Sequence, residues 1–153
     1  MRLVVQRVKN ASVTIDDKAV AAIGGGLLVF VGFGTTDTEP ESWPKIEAVL
    51  AKVMALRIFP DINHHMNVSL TEFGGEILLV SQFTLYADCR KGRRPSFHLA
   101  CPPDPARSLF EKLVTTTESL LPGNVQSGVF AADMDIGLVN WGPVTILLDS
   151  ADF

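Results

Sequence analysis

The stretch Leu78-Leu79-Val80-Ser81-Gln82-Phe83-Thr84-Leu85-Tyr86 (residues 78–86) lies at the centre of the chain and changes character halfway along. It begins as an uninterrupted apolar run, which is typical of a buried strand. It then places hydroxyl and amide groups at Ser81, Gln82 and Thr84. A buried polar group without a partner costs about 1–3 kcal/mol. Polar residues here therefore indicate either a functional site or a strand end whose polar side chains are satisfied locally.

Positive charge is concentrated directly after this stretch, in Arg90-Lys91-Gly92-Arg93-Arg94. The 153-residue chain has a net charge of −4, which argues against a protein that coats nucleic acid through bulk charge. A small basic segment on an acidic chain instead predicts one local contact with phosphate. The alternative is a solvated loop that binds nothing.

Strand-like and helical patterns alternate along the rest of the chain. Two helices are predicted. The first covers residues 38–57, with Thr38 or Ser42 as its cap and Pro40 or Pro44 in its first turn, and the second runs from an N-cap at Asp104, with Pro105 at N1, to Leu121. The predicted strands are residues 2–8, 12–15, 19–23, 27–31, 66–70, 76–80, 125–130, 136–140 and 144–148. This order predicts a single α+β domain over residues 1–153 with a mostly antiparallel sheet.

The last two predicted strands are separated by Trp141-Gly142-Pro143. Proline lacks the N–H that a strand ladder needs, so the ladder should break here. The Gly-Pro bond can be cis at a cost of only ~0.5–1 kcal/mol, and glycine lets another molecule approach the backbone closely. A second functional place and an ordinary turn both remain open.

Several functional classes receive no support from the sequence. Cys89 and Cys101 form no C-x-x-C pair, which favours a reducing cytoplasm. No signal peptide or membrane span is predicted. The adjacent His64 and His65 cannot share a face and have no ligand cluster nearby, so neither a metal site nor a cofactor is expected.

A hydroxyl nucleophile needs an adjacent base, and the stretch around Ser81 contains none. A triad of Ser81, His98 and Asp133 or Asp135 remains open, although it lacks the G-x-S-x-G elbow. If the chain is an enzyme, these residues favour catalysis by positioning the substrate and stabilising charge with amides, on a substrate that supplies its own nucleophile. A nucleic-acid-binding module without turnover is the remaining alternative.

Two motifs together resemble the signatures of the D-aminoacyl-tRNA deacylases. They are Ser81-Gln82-Phe83-Thr84-Leu85-Tyr86 and Asn140-x-Gly142-Pro143-Val144-Thr145, in the family's order. Trp141 falls at a variable position of the second motif. Further segments match in order: residues 2–8, 11–13, 26–29, 56–59, 66–67, 89–97 and 132–134.

The resemblance implies a barrel-like homodimer with active sites at the dimer interface. Such an enzyme hydrolyses the ester that joins a D-amino acid, or glycine, to the terminal adenosine of tRNA. Ser81, Gln82, Phe83 and Thr84 would line the catalytic pocket, with backbone amides near Gln82 and Phe83 holding the carbonyl oxygen. The adenosine 2′-hydroxyl would assist the chemistry, with no metal or cofactor.

The same resemblance assigns substrate selection to the second motif. The bond between Gly142 and Pro143 would be cis and would reach into the partner subunit's site, where its carbonyl oxygens bind the α-ammonium group. Asn140 belongs to this motif, and Arg7 would brace it. Side chains of L-amino acids would then collide with backbone, and glycine would escape. The segment formed by Arg90, Lys91, Arg93 and Arg94 would contact acceptor-stem phosphates.

Overall fold

The sheet is built around the first strand, β1 (Arg2–Ile15), in a computed structural model that describes all 153 residues. One edge of β1 pairs with the last strand, β8 (Asp135–Asp149), in antiparallel order. The other edge pairs first with β3 (Gly26–Gly32) and then with β2 (Lys18–Ile23), also antiparallel. Because β1 has partners along both edges, it is a central strand of the sheet.

The apolar run of residues 77–80 forms the buried part of β6 (Glu76–Ser81), as predicted. This strand pairs in parallel with β3 and with the short β7 (Val125–Ser127). Parallel neighbours need long crossover connections. The two main helices, α1 (Trp43–Ala55) and α3 (Pro103–Leu120), lie in these connections. The sheet is therefore mixed, whereas the sequence predicted only that it is mostly antiparallel.

Three smaller elements complete the chain. The two-residue β4 (Phe59–Pro60) pairs with β5 (Met66–Val68) outside the main sheet. The four-residue α2 (Leu70–Phe73) follows, with a capping box in which Ser69 and Glu72 satisfy each other's backbone N–H. The structure confirms the α+β class and the barrel-like sheet, and it adds this third helix.

Two apolar clusters lie on opposite faces of the sheet because side chains alternate along each strand. The helical face includes Leu27, Val29, Ile77 and Leu79 together with α1 and α3. The face of the sheet opposite the helices holds a smaller cluster. Its members are Val8, Ala11, Val13, Ala21, Ile23, Leu28, Leu78 and Val80.

Several predicted boundaries are wrong. The first helix starts at Trp43, after a prolyl turn, and α3 is capped by Pro102, so Asp104 lies in its first turn. The strand predicted over residues 125–130 ends at Ser127, and the one predicted over 66–70 ends at Val68. No helix is long and apolar enough to cross a bilayer.

Candidate active site

A cleft of about 620 Å³ opens where β6 ends. Ser81, Gln82 and Phe83 form one wall, and residues 100–106 and 130–136 supply much of the rest. Thirteen of its 18 lining residues are hydrophobic. An apolar cleft with a few polar groups at one end is typical of a small-molecule site. Thr84 belongs to the same turn but is not among the lining residues.

The polar end of the cleft is a single turn of 3-10 helix, Phe83–Tyr86. The Gln82 N–H donates to the Val31 carbonyl at 2.7 Å, and the Gln82 side-chain amide donates to the Thr84 hydroxyl. The Gln82 backbone amide is therefore occupied, contrary to the expectation that it holds a substrate oxygen. The N–H groups of Phe83 and Thr84 open the turn and have no acceptor within it.

Two charged residues, Arg2 and Asp37, contact the turn. Arg2 donates to the Leu85 carbonyl at 3.1 Å, and its guanidinium lies 4.5 Å from the centre of the Tyr86 ring. The Tyr86 hydroxyl lies 3.4 Å from the buried Asp37 carboxylate. Burial, followed by the charge of Asp37, raises the pKa of Tyr86, so this phenol stays neutral. The arrangement fixes the turn without adding an acid or a base to the cleft.

The basic segment forms a small excursion whose ends are joined by two backbone hydrogen bonds, between Asp88 and Ser96, at 2.7 and 2.9 Å. Phe97 follows directly and packs edge-on against Phe83, with 4.9 Å between ring centres. Both rings line the cleft. The excursion therefore starts and ends beside the cleft wall.

The four cations of this excursion are not equivalent. Arg90 holds the Asp88 carboxylate with two hydrogen bonds of 2.7 and 2.8 Å, which lower the pKa of that carboxyl. Lys91, Arg93 and Arg94 are exposed and make no ion pair. A polyanion would find three uncompensated charges here and one that is already balanced.

The Gly-Pro loop (residues 141–143) is a wide irregularity in the ladder between β1 and β8. Gln6 pairs with Thr145 and Val8 with Asn140, so four residues of β8 face Arg7 alone. The expected break in the ladder is thus present, although both sides belong to one strand. The bond between Gly142 and Pro143 is cis, as the resemblance implies, and both residues are exposed.

Arg7 braces this loop from inside. Its Nε donates to the Trp141 carbonyl at 2.9 Å, its Nη1 donates to the Ile58 carbonyl, and its guanidinium lies 4.6 Å from the centre of the Trp141 ring. A Cβ added at Gly142 would lie 2.7 Å from Arg7 Nη2, and Gly142 has φ of +127°. Burial lowers the pKa of Arg7 from its ordinary value.

Asn140 braces the loop from its other end. Its side-chain Nδ2 donates to the Thr145 hydroxyl at 2.9 Å, and its Oδ1 accepts from the Val144 N–H at 3.3 Å. The side chain thus closes the loop on itself. Sequence reasoning placed Asn140 among substrate-binding residues and did not identify this bracing contact.

The two motifs do not meet within one chain. None of Arg7, Asn140, Gly142 and Pro143 lines the cleft that starts at Ser81. A single chain therefore presents an apolar cleft with polar groups at one end and, elsewhere, an exposed and well-braced loop.

The alternative serine triad is not assembled. His98 Nδ1 lies 2.9 Å from the Ser96 hydroxyl, and no hydrogen bond joins His98 to Ser81. Asp133 lines the cleft but His98 does not. Burial raises the pKa of Cys101, the only thiol in the cleft, which keeps it protonated and weakly nucleophilic.

Comparison with known proteins places the chain among the deacylases. The family model described as D-Tyr-tRNA(Tyr) deacylase matches residues 4–149. A D-aminoacyl-tRNA deacylase of Solidesulfovibrio magneticus is 61% identical, with 99% of this chain and 97% of that protein covered. One of Nitratidesulfovibrio vulgaris is 58% identical, with 99% and 94% covered.

Two solved structures share the fold. The c-Myc DNA Unwinding Element Binding Protein has a TM-score of 0.89 and 37% identity, over 97% of this chain and 98% of its own. A probable eukaryotic D-amino acid tRNA deacylase has a TM-score of 0.83 over 96% and 97%, and its 20% identity shows the fold alone. With the family match over nearly its whole length and these close relatives, the chain belongs to the D-Tyr-tRNA(Tyr) deacylase family.

Proposed function

We propose that the chain hydrolyses the ester bond of D-aminoacyl-tRNA and releases a free D-amino acid and tRNA. The observation that carries the proposal is the cleft itself, in a chain 61% identical to a named D-aminoacyl-tRNA deacylase. The cleft combines apolar walls with a turn of polar groups and lacks an assembled acid–base pair. Such a site suits a substrate that brings its own reactive hydroxyl beside the ester.

The proposed chemistry needs little from side chains. Water adds to the ester carbonyl with the help of the neighbouring 2′-hydroxyl of the terminal adenosine, and the bond to the ribose oxygen then breaks. The N–H group of Phe83, at the start of the turn, stabilises the developing negative charge on the carbonyl oxygen. The Thr84 hydroxyl already accepts from Gln82, which favours a structural role for it over a nucleophilic one.

The proposal includes a homodimer in which the Gly-Pro loop of one chain completes the cleft of the other. The loop is exposed and lies apart from its own cleft. Strand β8, which carries it, pairs only with β1 and exposes 48% of Val139 and 76% of Leu147. An unpaired strand edge with exposed apolar side chains supports contact with a second copy.

Chiral selection follows from the rigidity of the loop. Carbonyl oxygens of Gly142 and Pro143 bind the α-ammonium group, while the turn of the other chain holds the ester carbonyl. With these two groups fixed, the side chain of a D-amino acid points to solvent and that of an L-amino acid collides with backbone. Glycine has no side chain to exclude, so glycyl-tRNA, including tRNA-Ala mischarged with glycine, is accepted.

The tRNA backbone is bound by Lys91, Arg93 and Arg94, with a smaller contribution from Arg90 because of its pairing with Asp88. Contacts with phosphate supply affinity and salt dependence but do not read the amino acid. A cytoplasmic location is part of the proposal, and it is consistent with two free cysteines.

The deciding experiment follows ester decay of tRNA that carries the D or the L form of one amino acid, at neutral pH and low enzyme concentration. We expect rapid loss of the D ester while the L ester is spared. Equal loss of both esters would contradict chiral selection and favour a general esterase. Loss of neither, with tRNA still bound, would overturn the enzymatic proposal in favour of a binding module.

The shared site is tested by mixing two inactive variants. Gly142→Ala disables the loop, and Ala132→Trp fills the cleft, which Ala132 lines. If the loop acts across the dimer, one of the two sites in a mixed dimer combines an intact cleft with an intact loop. About half of the dimers in a random equal mixture are mixed, so the mixture regains about a quarter of wild-type activity. No recovery from a mixture with proven subunit exchange would show that each chain uses its own loop.

A further inference from the structure

We propose that Trp141, although it lies at a variable position of the second motif, is a positioning residue for chiral selection, which it supports by holding Arg7 against the Gly-Pro loop. The inference rests on the proposed function, because it assumes that this loop orients the substrate. It adds a residue whose side chain makes no contact with the cleft in its own chain.

The Trp141 ring packs against the rings of Phe59 and Phe73. Its centre lies 6.4 Å from that of Phe59 and 6.0 Å from that of Phe73. Phe59 is fully buried and stacks on Phe73 at 4.4 Å with 13° between the planes. Phe73 ends the short capped helix α2. The indole therefore rests on a stacked aromatic pair, of which Phe59 is buried and Phe73 is partly exposed.

A face of the indole lies against Arg7. The guanidinium lies 4.6 Å from the ring centre while its Nε donates to the carbonyl of the same residue, Trp141. Arg7 is only 7% exposed, and a cation held over an aromatic face away from water gains more than one at the surface. The ring and the carbonyl oxygen of Trp141 together restrict the position and orientation of the guanidinium.

The position of the guanidinium in turn limits the loop. Arg7 Nη2 occupies the space where a Gly142 side chain would begin, 2.7 Å from that atom position. If the indole is removed, the guanidinium loses one wall and can move away from Gly142. The loop then gains freedom at the residue whose carbonyl orients the substrate, and rejection of the L form weakens because that rejection depends on a fixed backbone.

The test compares Trp141→Leu, which removes the π face but keeps apolar bulk, with the conservative Trp141→Phe. Trp43→Leu is the matched control. Trp43 also contacts a cation, since Lys112 Nζ lies 4.0 Å from its ring centre. Unlike Trp141, it is the first residue of α1 and belongs to the hydrophobic core. For each variant, kcat/KM is measured on matched D- and L-aminoacyl-tRNA, together with thermal unfolding.

We expect Trp141→Leu to lower the D-to-L ratio of kcat/KM about tenfold, which corresponds to ~1.4 kcal/mol. Trp141→Phe should keep the ratio within about twofold, since a phenyl face also binds a cation. Trp43→Leu should lower the melting temperature with no change in the ratio. An unchanged ratio in Trp141→Leu, or an equal drop in Trp43→Leu, would overturn the inference. Wild-type protein without a preference for the D ester would instead refute the proposed function.

Discussion

The cleft and the Gly-Pro loop are built in opposite ways. The cleft has broad apolar walls, and two of the rings that line it, Phe83 and Phe97, are exposed and pack edge-on against each other. The loop is only three residues long and is exposed at Gly142 and Pro143, yet it is held by Arg7 and Asn140 and by the contact of Arg7 with its own Trp141 ring. A surface that accepts many side chains can be adaptable, whereas a surface that rejects by collision must be stiff. The contrast explains why so short a loop is braced by side chains, from Arg7 on one side and from Asn140 at its start.

The largest expected effect comes from breaking the stiff region. Gly142→Ala places a Cβ 2.7 Å from Arg7 Nη2 at a φ of +127°, so the loop must shift. Displacement of a positioning group by about 1 Å can reduce a rate by ~100-fold. We expect a loss of this order in kcat/KM for the D ester, with folding retained in circular dichroism.

Gly123→Ala is the control for this change. Gly123 also has a positive φ, +77°, but no atom lies within 4 Å of its added Cβ. The strain of a left-handed conformation costs ~1–2 kcal/mol of stability. Activity should therefore persist in Gly123→Ala. A similar loss of activity in both variants would show that general destabilisation, and not the loop, is responsible.

An intermediate effect is expected for the basic residues of the excursion beside the cleft. It separates affinity for tRNA from discrimination between the D and L esters. Replacing Lys91, Arg93 and Arg94 together by Ala should make the slope of log affinity against log salt shallower by about 2–3. Arg90→Ala should change it by less than 1, because Asp88 already balances that charge. Equilibrium binding of deacylated tRNA at several salt concentrations measures both slopes.

The D-to-L ratio of kcat/KM should stay the same in all these variants, since phosphate contacts carry no information about the amino acid. A larger slope change in Arg90→Ala than in the triple variant would contradict the assignment of the free charges.

The smallest effect is expected for His98→Ala. This side chain contacts Ser96 and does not line the cleft. Substitutions at such exposed positions generally change stability by less than ~0.5 kcal/mol. We expect kcat/KM within about twofold of wild type on the D ester. A loss of several orders of magnitude in kcat/KM would instead support a catalytic triad of Ser81, His98 and an aspartate.

Periodicity in the sequence predicted the main elements because burial leaves a local signature. The apolar run before Ser81 identified the central strand, and Gly142-Pro143 identified the interruption in β8. The parallel pairing of β6 with β3 and β7 was not predicted, since it depends on where the crossover helices return the chain. For the start of α1 the sequence offers two caps, Thr38 and Ser42, because prolines and polar residues near both positions suit a helix start, and the helix begins after Ser42.

The roles of the site residues stay predictions, and several of their contacts could not be predicted at all. The motifs located the turn and the loop, but nothing local in the sequence shows that the Gln82 amide is already bonded to Val31 or that Arg90 pairs with Asp88. The role of Trp141 was missed because its partners Arg7, Phe59 and Phe73 are distant in the sequence. Contacts between distant residues leave no periodic pattern.

The pairing of β1 with β8 has a consequence for synthesis of the chain. Arg2 pairs with Asp149, so this edge of β1 finds its partner only after β8 has been translated, whereas β2 and β3 reach the other edge early. Contacts of such high sequence separation form slowly because the intervening chain must first be ordered. Arg7 and the Gly-Pro loop lie within this pairing, so a nascent chain acquires its cleft-forming residues before it acquires the loop that is proposed to discriminate between substrates.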